Sequence, residues 1–178
     1  MRIELLRLTD LRLRVAAATR AEFAEEYPGV FLAAMGLLSA QFLVGKRAGT
    51  VGLAFDGRLR HQTGESHPLA GLAFFLRSSP SSTSVVLGRG TDCDLTIPDA
   101  SVSETHCRIE VGDEGVQVVD LGSTNGTSIN LTRLVANEAA LLGDEDILTV
   151  GRYSFQVLSA ATCHAALRLL ETLAETDE

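Results

Sequence analysis

The stretch "VQVVDLGSTNGTSIN", Val116–Asn130, sets a valine-rich run against a turn of two glycines, one asparagine and three hydroxyl side chains. β-Branched residues at alternating positions read as a strand. Asn125-Gly126 supplies the positive-φ positions that a tight turn needs. Hairpin geometry accounts for that pair, but not for the hydroxyls of Ser123, Thr124 and Thr127 around it. So many small hydrogen-bonding groups in one turn also suit a cradle for something negatively charged.

The same texture extends outward from this stretch. Short apolar runs ("LAFFL", "SVVLG", "DLTI", "CRIEV", "ILTVG", "FQVL") recur between Leu72 and Leu158, separated by "SSPSST", "IPDAS" and "GDEG". Strands spaced by roughly ten residues with turn signals between them predict an antiparallel sandwich or barrel, not alternating α/β layers. The fold class expected is mainly β, an antiparallel β-sandwich over residues 67–160, with a small α+β N-terminal extension over 1–66 and an amphipathic C-terminal helix over 161–178.

Within the extension, Leu11, Val15 and Ala18 stand at helical spacing behind Thr9 or Asp10 as a cap, although Leu11, Leu13 and Val15 also alternate. "TRAEF", Thr19–Phe23, matches a capping box whose short helix should stop before Pro28-Gly29. The apolar chain from Val30 to Ala54, punctuated by glycines, suits short strands, and "DGRLRHQTGESHP", Asp56–Pro68, is the linker candidate. In the tail, Ala166, Leu169, Leu170 and Leu173 form one face of a helix that Thr162 can cap.

Composition narrows the function. The 178 residues carry a net charge of −8, with 46% hydrophobic and 21% charged residues. That is ordinary for a globular chain and wrong for nucleic-acid binding, which needs a concentrated basic face. The acidity is local: residues 80–160 hold 4 basic against 12 acidic side chains. Lys46 is the one lysine beside fourteen arginines, so cationic contacts to a ligand should come from arginine, which favours bidentate recognition.

Cys93, Cys107 and Cys163 form no CxxC pair and read as reduced thiols of a cytoplasmic protein. The four histidines lack zinc-ligand spacing, so neither a metal nor a cofactor is expected. Charges throughout the first fifteen residues do not fit a signal peptide. The run Val30–Val44, shorter than the roughly 20 residues of a spanning helix, points to buried core and not to a membrane.

Three turns in the β-rich region gather polar groups: Gly88-Arg89, Ser103-Glu104-Thr105-His106, and Thr124-Asn125-Gly126-Thr127. In this order and at these intervals, with "DCDLTIPDASVS" and "DLGSTNGTSIN" around them, they resemble the forkhead-associated (FHA) domain over about Gly71 to Leu158. The resemblance to bacterial FHA proteins with a short N-terminal extension reaches "TRAEFAEEYPGVFL" as well. It implies a two-sheet β-sandwich whose loops at one end bind phosphothreonine peptides.

On that resemblance, Arg89 makes a charge-assisted bond to phosphate, Ser103 and Thr124 add further bonds to it, and Asn125 holds the peptide main chain. Gly88, His106 and Gly126 are implied to be structural in the binding loops. Glu104 stands where the family commonly has Arg, Lys or Asn, and a carboxylate there opposes a phosphate. Leu131 and Glu145 stand where the family commonly has glycine.

The implied partner is a phosphothreonine-containing protein or peptide marked by a Ser/Thr kinase pathway. The acidic setting adds basic flanking residues to that expectation. A phospho-independent FHA-like scaffold within a larger assembly is the alternative that Glu104 favours. Catalysis is not expected: Gly-Lys-Ser/Thr and Gly-x-Ser-x-Gly are both missing, and Ser103 with His106 has no third group.

Overall fold

The computed structural model describes residues 3–37, 69, 71–78, 83–112 and 115–176. The elements follow in the order β1 (Ile3–Arg7), α1 (Leu8–Ala17), α2 (Arg20–Glu26), β2 (Gly29–Leu37), β3 (Leu72–Arg77), β4 (Thr83–Gly88), β5 (Leu95–Thr96) and β6 (Cys107–Gly112). After them come β7 (Gly115–Asp120), β8 (Thr127–Ile129), β9 (Thr132–Arg133), β10 (Ala139–Leu142), β11 (Ile147–Val150), β12 (Tyr153–Ser159) and α3 (Ala160–Thr176). The linker candidate Asp56–Pro68, and the apolar chain beyond Leu37, lie outside the described residues. Among the described residues no helix is long and apolar enough to cross a membrane.

Two sheets form the mainly β architecture that the alternating runs predict. One has the strand order β1-β3-β2-β12-β11-β8-β9 and the other β10-β7-β6-β4-β5. Pairings are antiparallel throughout except the short β4–β5 contact, which is parallel. The core between the sheets contains Leu32, Phe74, Leu76, Val85, Leu87, Ile109, Val118, Leu148, Phe155 and Val157.

A second cluster covers the outer face of the larger sheet, where Phe31, Ala33, Ala73, Phe75 and Leu158 meet Leu11, Val15, Phe23, Tyr27, Cys163 and Leu167 from the three helices. Because successive strand residues point to opposite faces, β2 and β3 bury both. Phe31 and Phe75 face the helices, and Leu32 and Phe74 face the second sheet. That is why "VFLAA" and "LAFFL" are unbroken apolar runs, whereas β6, with one face open, alternates as CRIEV. Residues 3–37 therefore contribute two strands and two helices to the larger sheet and its covering layer.

Two helix caps differ from expectation. The capping box forms as read, with Glu22 N donating to Thr19 Oγ1 and the Glu22 carboxylate accepting from Thr19 N at 2.8 Å. For α1 the N-cap residue is Arg7 with no side-chain cap, not Thr9 or Asp10, because β1 runs directly into the helix. For α3 the cap is Ser159, whose hydroxyl accepts from Thr162 N at 3.2 Å; Thr162 already lies in the first turn. The buried face of α3 is also rotated from the predicted one. Ala160, Cys163, His164 and Leu167 are buried, and Leu169 is 59% exposed. Packing against Phe23 decides the phase, with the His164 ring 5.6 Å from that phenyl.

Leu131 and Glu145 both adopt positive φ, +72° and +71°. An L side chain costs roughly 1–2 kcal/mol in that region, and glycine's greater unfolded-state entropy returns part of the difference. Both side chains are exposed, and the Glu145 amide bond to Val157 O is a backbone contact that glycine keeps. Glu145→Gly is expected to raise stability by about 0.5–1 kcal/mol in urea unfolding. A loss of stability would show that the Glu145 side chain stabilises its turn.

Candidate functional site

β4 ends in Gly88-Arg89, where the chain must pass under the β5–β6 loop. A methyl group at position 88 would fall 2.2 Å from Glu104 O and 2.7 Å from Cys93 Sγ, so only glycine fits. The close approach lets Arg89 N donate to Ser103 O (2.8 Å) and Gly90 N to Glu104 O (2.9 Å). These two backbone bonds set the Arg89 side chain beside Ser103. Its Nε donates to Val102 O at 3.2 Å, and the side chain is 46% exposed, which leaves guanidinium N–H groups open to a ligand.

The β7–β8 loop closes on the other side. Thr124 N donates to Ser103 Oγ at 3.0 Å, and the two hydroxyls lie 3.4 Å apart. Arg89, Ser103 and Thr124, from three different loops, thus join one hydrogen-bonded network. Asn125 adjoins it with Nδ2 donating to Ser101 O at 2.8 Å. Its Oδ1 accepts from no described group, so it is available to a main-chain N–H.

His106 is fully buried beneath these loops. Its Nδ1 accepts from Ser103 N at 3.0 Å, so the ring proton sits on Nε2, which donates to Gly126 O at 3.1 Å. Burial pushes its pKa down, keeping the imidazole neutral at pH 7. One ring thereby fastens the β5–β6 loop to the β7–β8 loop. Gly126 takes φ +84°, and a side chain there would meet the Arg133 guanidinium at 2.6 Å.

His106 is not placed as a base for the Ser103 hydroxyl. His106 bonds the backbone amide of Ser103, while the Ser103 hydroxyl faces Thr124, so no base contacts that hydroxyl. Cys107, adjacent in sequence, is buried and its thiol is pushed up to about 12. The half-exposed Arg89 guanidinium and the exposed Thr124 hydroxyl flank Ser103 instead, and such groups are suited to holding an anion.

Glu104 stands beside Arg89 at the solvent boundary. Its Oε1 lies 3.9 Å from Arg89 Nη2 while its side chain is 81% exposed. A pair this long and this open to water is weak. The carboxylate stays in solvent and still competes with a ligand for Arg89.

Two carboxylates that the sequence reading did not single out support the loops. Asp120, only 3% exposed, accepts from Gly122 N and Ser123 N (both 2.9 Å) and from the hydroxyls of Ser123 and Thr127 (both 2.6 Å). Burial alone would raise its pKa, but the bonds from Ser123 and Thr127 hold it below the ordinary range. Ser123 Oγ in turn accepts from Gly126 N at 3.0 Å. The hydroxyls of Ser123 and Thr127 are therefore spent inside the turn, and only Thr124 faces outward.

Asp99 performs the same service for the β5–β6 loop. It accepts from Ser101 N (2.8 Å), Tyr153 OH (3.0 Å) and Arg152. Against its burial, those bonds hold its carboxyl down at about 2. The local signal for both was an aspartate two or three residues before a Ser or Gly amide.

The sequence profile described as FHA domain matches residues 85–151. Over 92 residues the chain is 32% identical to the glycogen accumulation regulator GarA of Mycolicibacterium smegmatis, covering 52% of this chain and 54% of that protein. It is 33% identical over 88 residues to an ABC transporter ATP-binding/permease protein of Mycobacterium tuberculosis, covering 49% of this chain and 10% of that protein. The chain thus spans about half of one relative and a tenth of the other. The solution structure of the FHA domain of an Arabidopsis thaliana hypothetical protein is similar with a TM-score of 0.50 and 26% identity, over 74% of this chain and 86% of that one.

Proposed function

We propose that this chain, whose residues 85–151 form an FHA domain, is a docking module that recruits partners phosphorylated on threonine. The observation that carries this reading is the hydrogen-bonded network that brings Arg89, Ser103 and Thr124 together from three loops, with the Arg89 guanidinium half-exposed. In the proposed complex the Arg89 guanidinium and the hydroxyls of Ser103 and Thr124 hold the phosphate. Asn125 Oδ1 takes a main-chain N–H of the peptide.

His106, Gly88 and Gly126 act on the peptide indirectly, by fixing where these loops meet. The module performs no chemistry of its own. A Ser/Thr kinase supplies the mark, and the setting proposed is bacterial and cytoplasmic. The test is calorimetric titration of the full chain with a phosphothreonine peptide, its unphosphorylated twin and its phosphoserine analogue. Phosphothreonine alone should bind with measurable heat, and equal binding of the unphosphorylated peptide would end the reading.

The contact of Glu104 with Arg89 favours a second reading, a sandwich kept as a phospho-independent scaffold. Like charges about 5 Å apart repel by roughly 3 kcal/mol at an effective dielectric near 20, and by far less when one of them is this well solvated. On the docking reading, Glu104 weakens phosphate binding without abolishing it and favours a basic residue on the neighbouring flank of the peptide. Glu104→Asn should then raise affinity for a neutral-flank phosphothreonine peptide by about three- to tenfold at low salt, with the gain shrinking as salt rises. Unchanged affinity at every salt concentration would count for the scaffold.

A further inference from the structure

Residues 80–160 hold four arginines, and three of them face a carboxylate. Arg108 bonds Glu110 at 2.7 Å, Arg152 bonds Asp99, and Arg89 meets Glu104 at 3.9 Å. The Arg133 side chain has no ion pair and no hydrogen bond among the described residues, although residues 80–160 are the most acidic part of the chain. It is exposed and stands on β9 opposite Ser128 of β8. From there its guanidinium reaches back over the turn before β8. A methyl group at Gly126 would lie 2.6 Å from Arg133 Nε and 2.7 Å from Nη2. The guanidinium therefore lies against Gly126, the residue next to Asn125.

We propose that Arg133 is a specificity-determining residue that reads an acidic side chain on the peptide flank crossing the Asn125-Gly126 turn. This rests on the phosphothreonine reading above. A peptide whose main chain is held at Asn125 advances about 3.3 Å per residue, so one of its next side chains comes within reach of Arg133. An aspartate or glutamate there meets a planar fork that no described carboxylate holds and that can take it with two parallel bonds. Because no carboxylate among the described residues has to be displaced, the contact comes without the competition that Glu104 imposes at Arg89. The site is thereby bipolar: Glu104 favours a basic residue on one flank and Arg133 an acidic one on the other.

The test uses the full chain and phosphothreonine peptides on a polyalanine background, with Asp, Ala or Arg placed singly at each flanking position. For the wild type, Asp at one position should tighten binding by about three- to tenfold over Ala at low salt, with the gain fading as salt rises. Arg133→Ala should erase that gain while leaving the all-alanine phosphopeptide within about twofold. Arg133→Lys should keep a smaller gain, and Arg133→Glu should turn the preference toward Arg. Absence of any acidic preference, or its survival in Arg133→Ala, overturns the inference while phosphopeptide binding itself stands. Failure of every phosphopeptide to bind the wild type overturns both readings together.

Discussion

Arg89→Ala is expected to lower affinity for a phosphothreonine peptide by about a hundredfold or more. A guanidinium facing a phosphate dianion donates charge-assisted bonds, each contributing about 1.5–3 kcal/mol. Loss of two such bonds takes micromolar binding out of the measurable range. The structural cost is small by comparison. The side chain is 46% exposed and makes one internal hydrogen bond, Nε to Val102 O. The backbone bonds that place residue 89, from its N–H to Ser103 O and from Gly90 N to Glu104 O, do not depend on the side chain.

Circular dichroism should therefore show a near-native melting curve while calorimetry shows no binding. Arg89→Lys keeps the charge without the planar fork and should fall between wild type and alanine. If the alanine variant binds within about threefold of wild type, the phosphate is not held at Arg89 and the docking reading is lost.

The strands β3–β7, β11 and β12 were legible in the sequence because each lies between turn signals and carries its face assignment locally. CRIEV alternates since one face meets the core, and LAFFL does not since both faces are covered. Elements whose state depends on distant partners were not legible. β1, Ile3–Arg7, forms because β3 offers it an edge, and its own residues state no preference. The phase of α3 is decided by Phe23, far away in sequence, so a pattern drawn from the leucines alone chose Leu169, which is exposed.

The same division applies to the site. Gly88-Arg89, Ser103-x-x-His106 and Asn125-Gly126 are short motifs readable in order. The orientation of Glu104 is a rotamer choice at the solvent boundary. Asp99 depends on Arg152 and Tyr153, more than fifty residues away, and no local pattern announces such partners. Arg133 escaped notice for the opposite reason: what distinguishes it is that no described carboxylate faces it.

Asp120→Ala should be the most damaging single substitution for stability among the residues near the site, costing about 3–4 kcal/mol. The carboxylate is 3% exposed and accepts from two amides and two hydroxyls within 2.9 Å. Its removal leaves the buried Thr127 hydroxyl, and at least one further donor, without an acceptor, at roughly 1–3 kcal/mol each. Gly122 is exposed, so its amide can turn to water and the four losses do not add in full. Asp120→Asn retains one acceptor oxygen but aims N–H groups at other donors, and should lose about half as much.

The pH dependence distinguishes this account from loss of packing alone. Since the folded carboxyl titrates below its unfolded value, its contribution is complete above about pH 4 and disappears as the pH falls through the folded value. Urea unfolding at pH 7 should therefore separate wild type from Asp120→Ala widely, and the gap should narrow as the pH approaches 3. Because Ser123 connects Asp120 to Gly126 N, the turn that presents Thr124 loosens in the same variant. Phosphopeptide affinity should fall with stability even though Asp120 touches no ligand. A gap below about 1 kcal/mol at pH 7, or one independent of pH, would mean that water replaces the carboxylate and that the turn holds its shape without it.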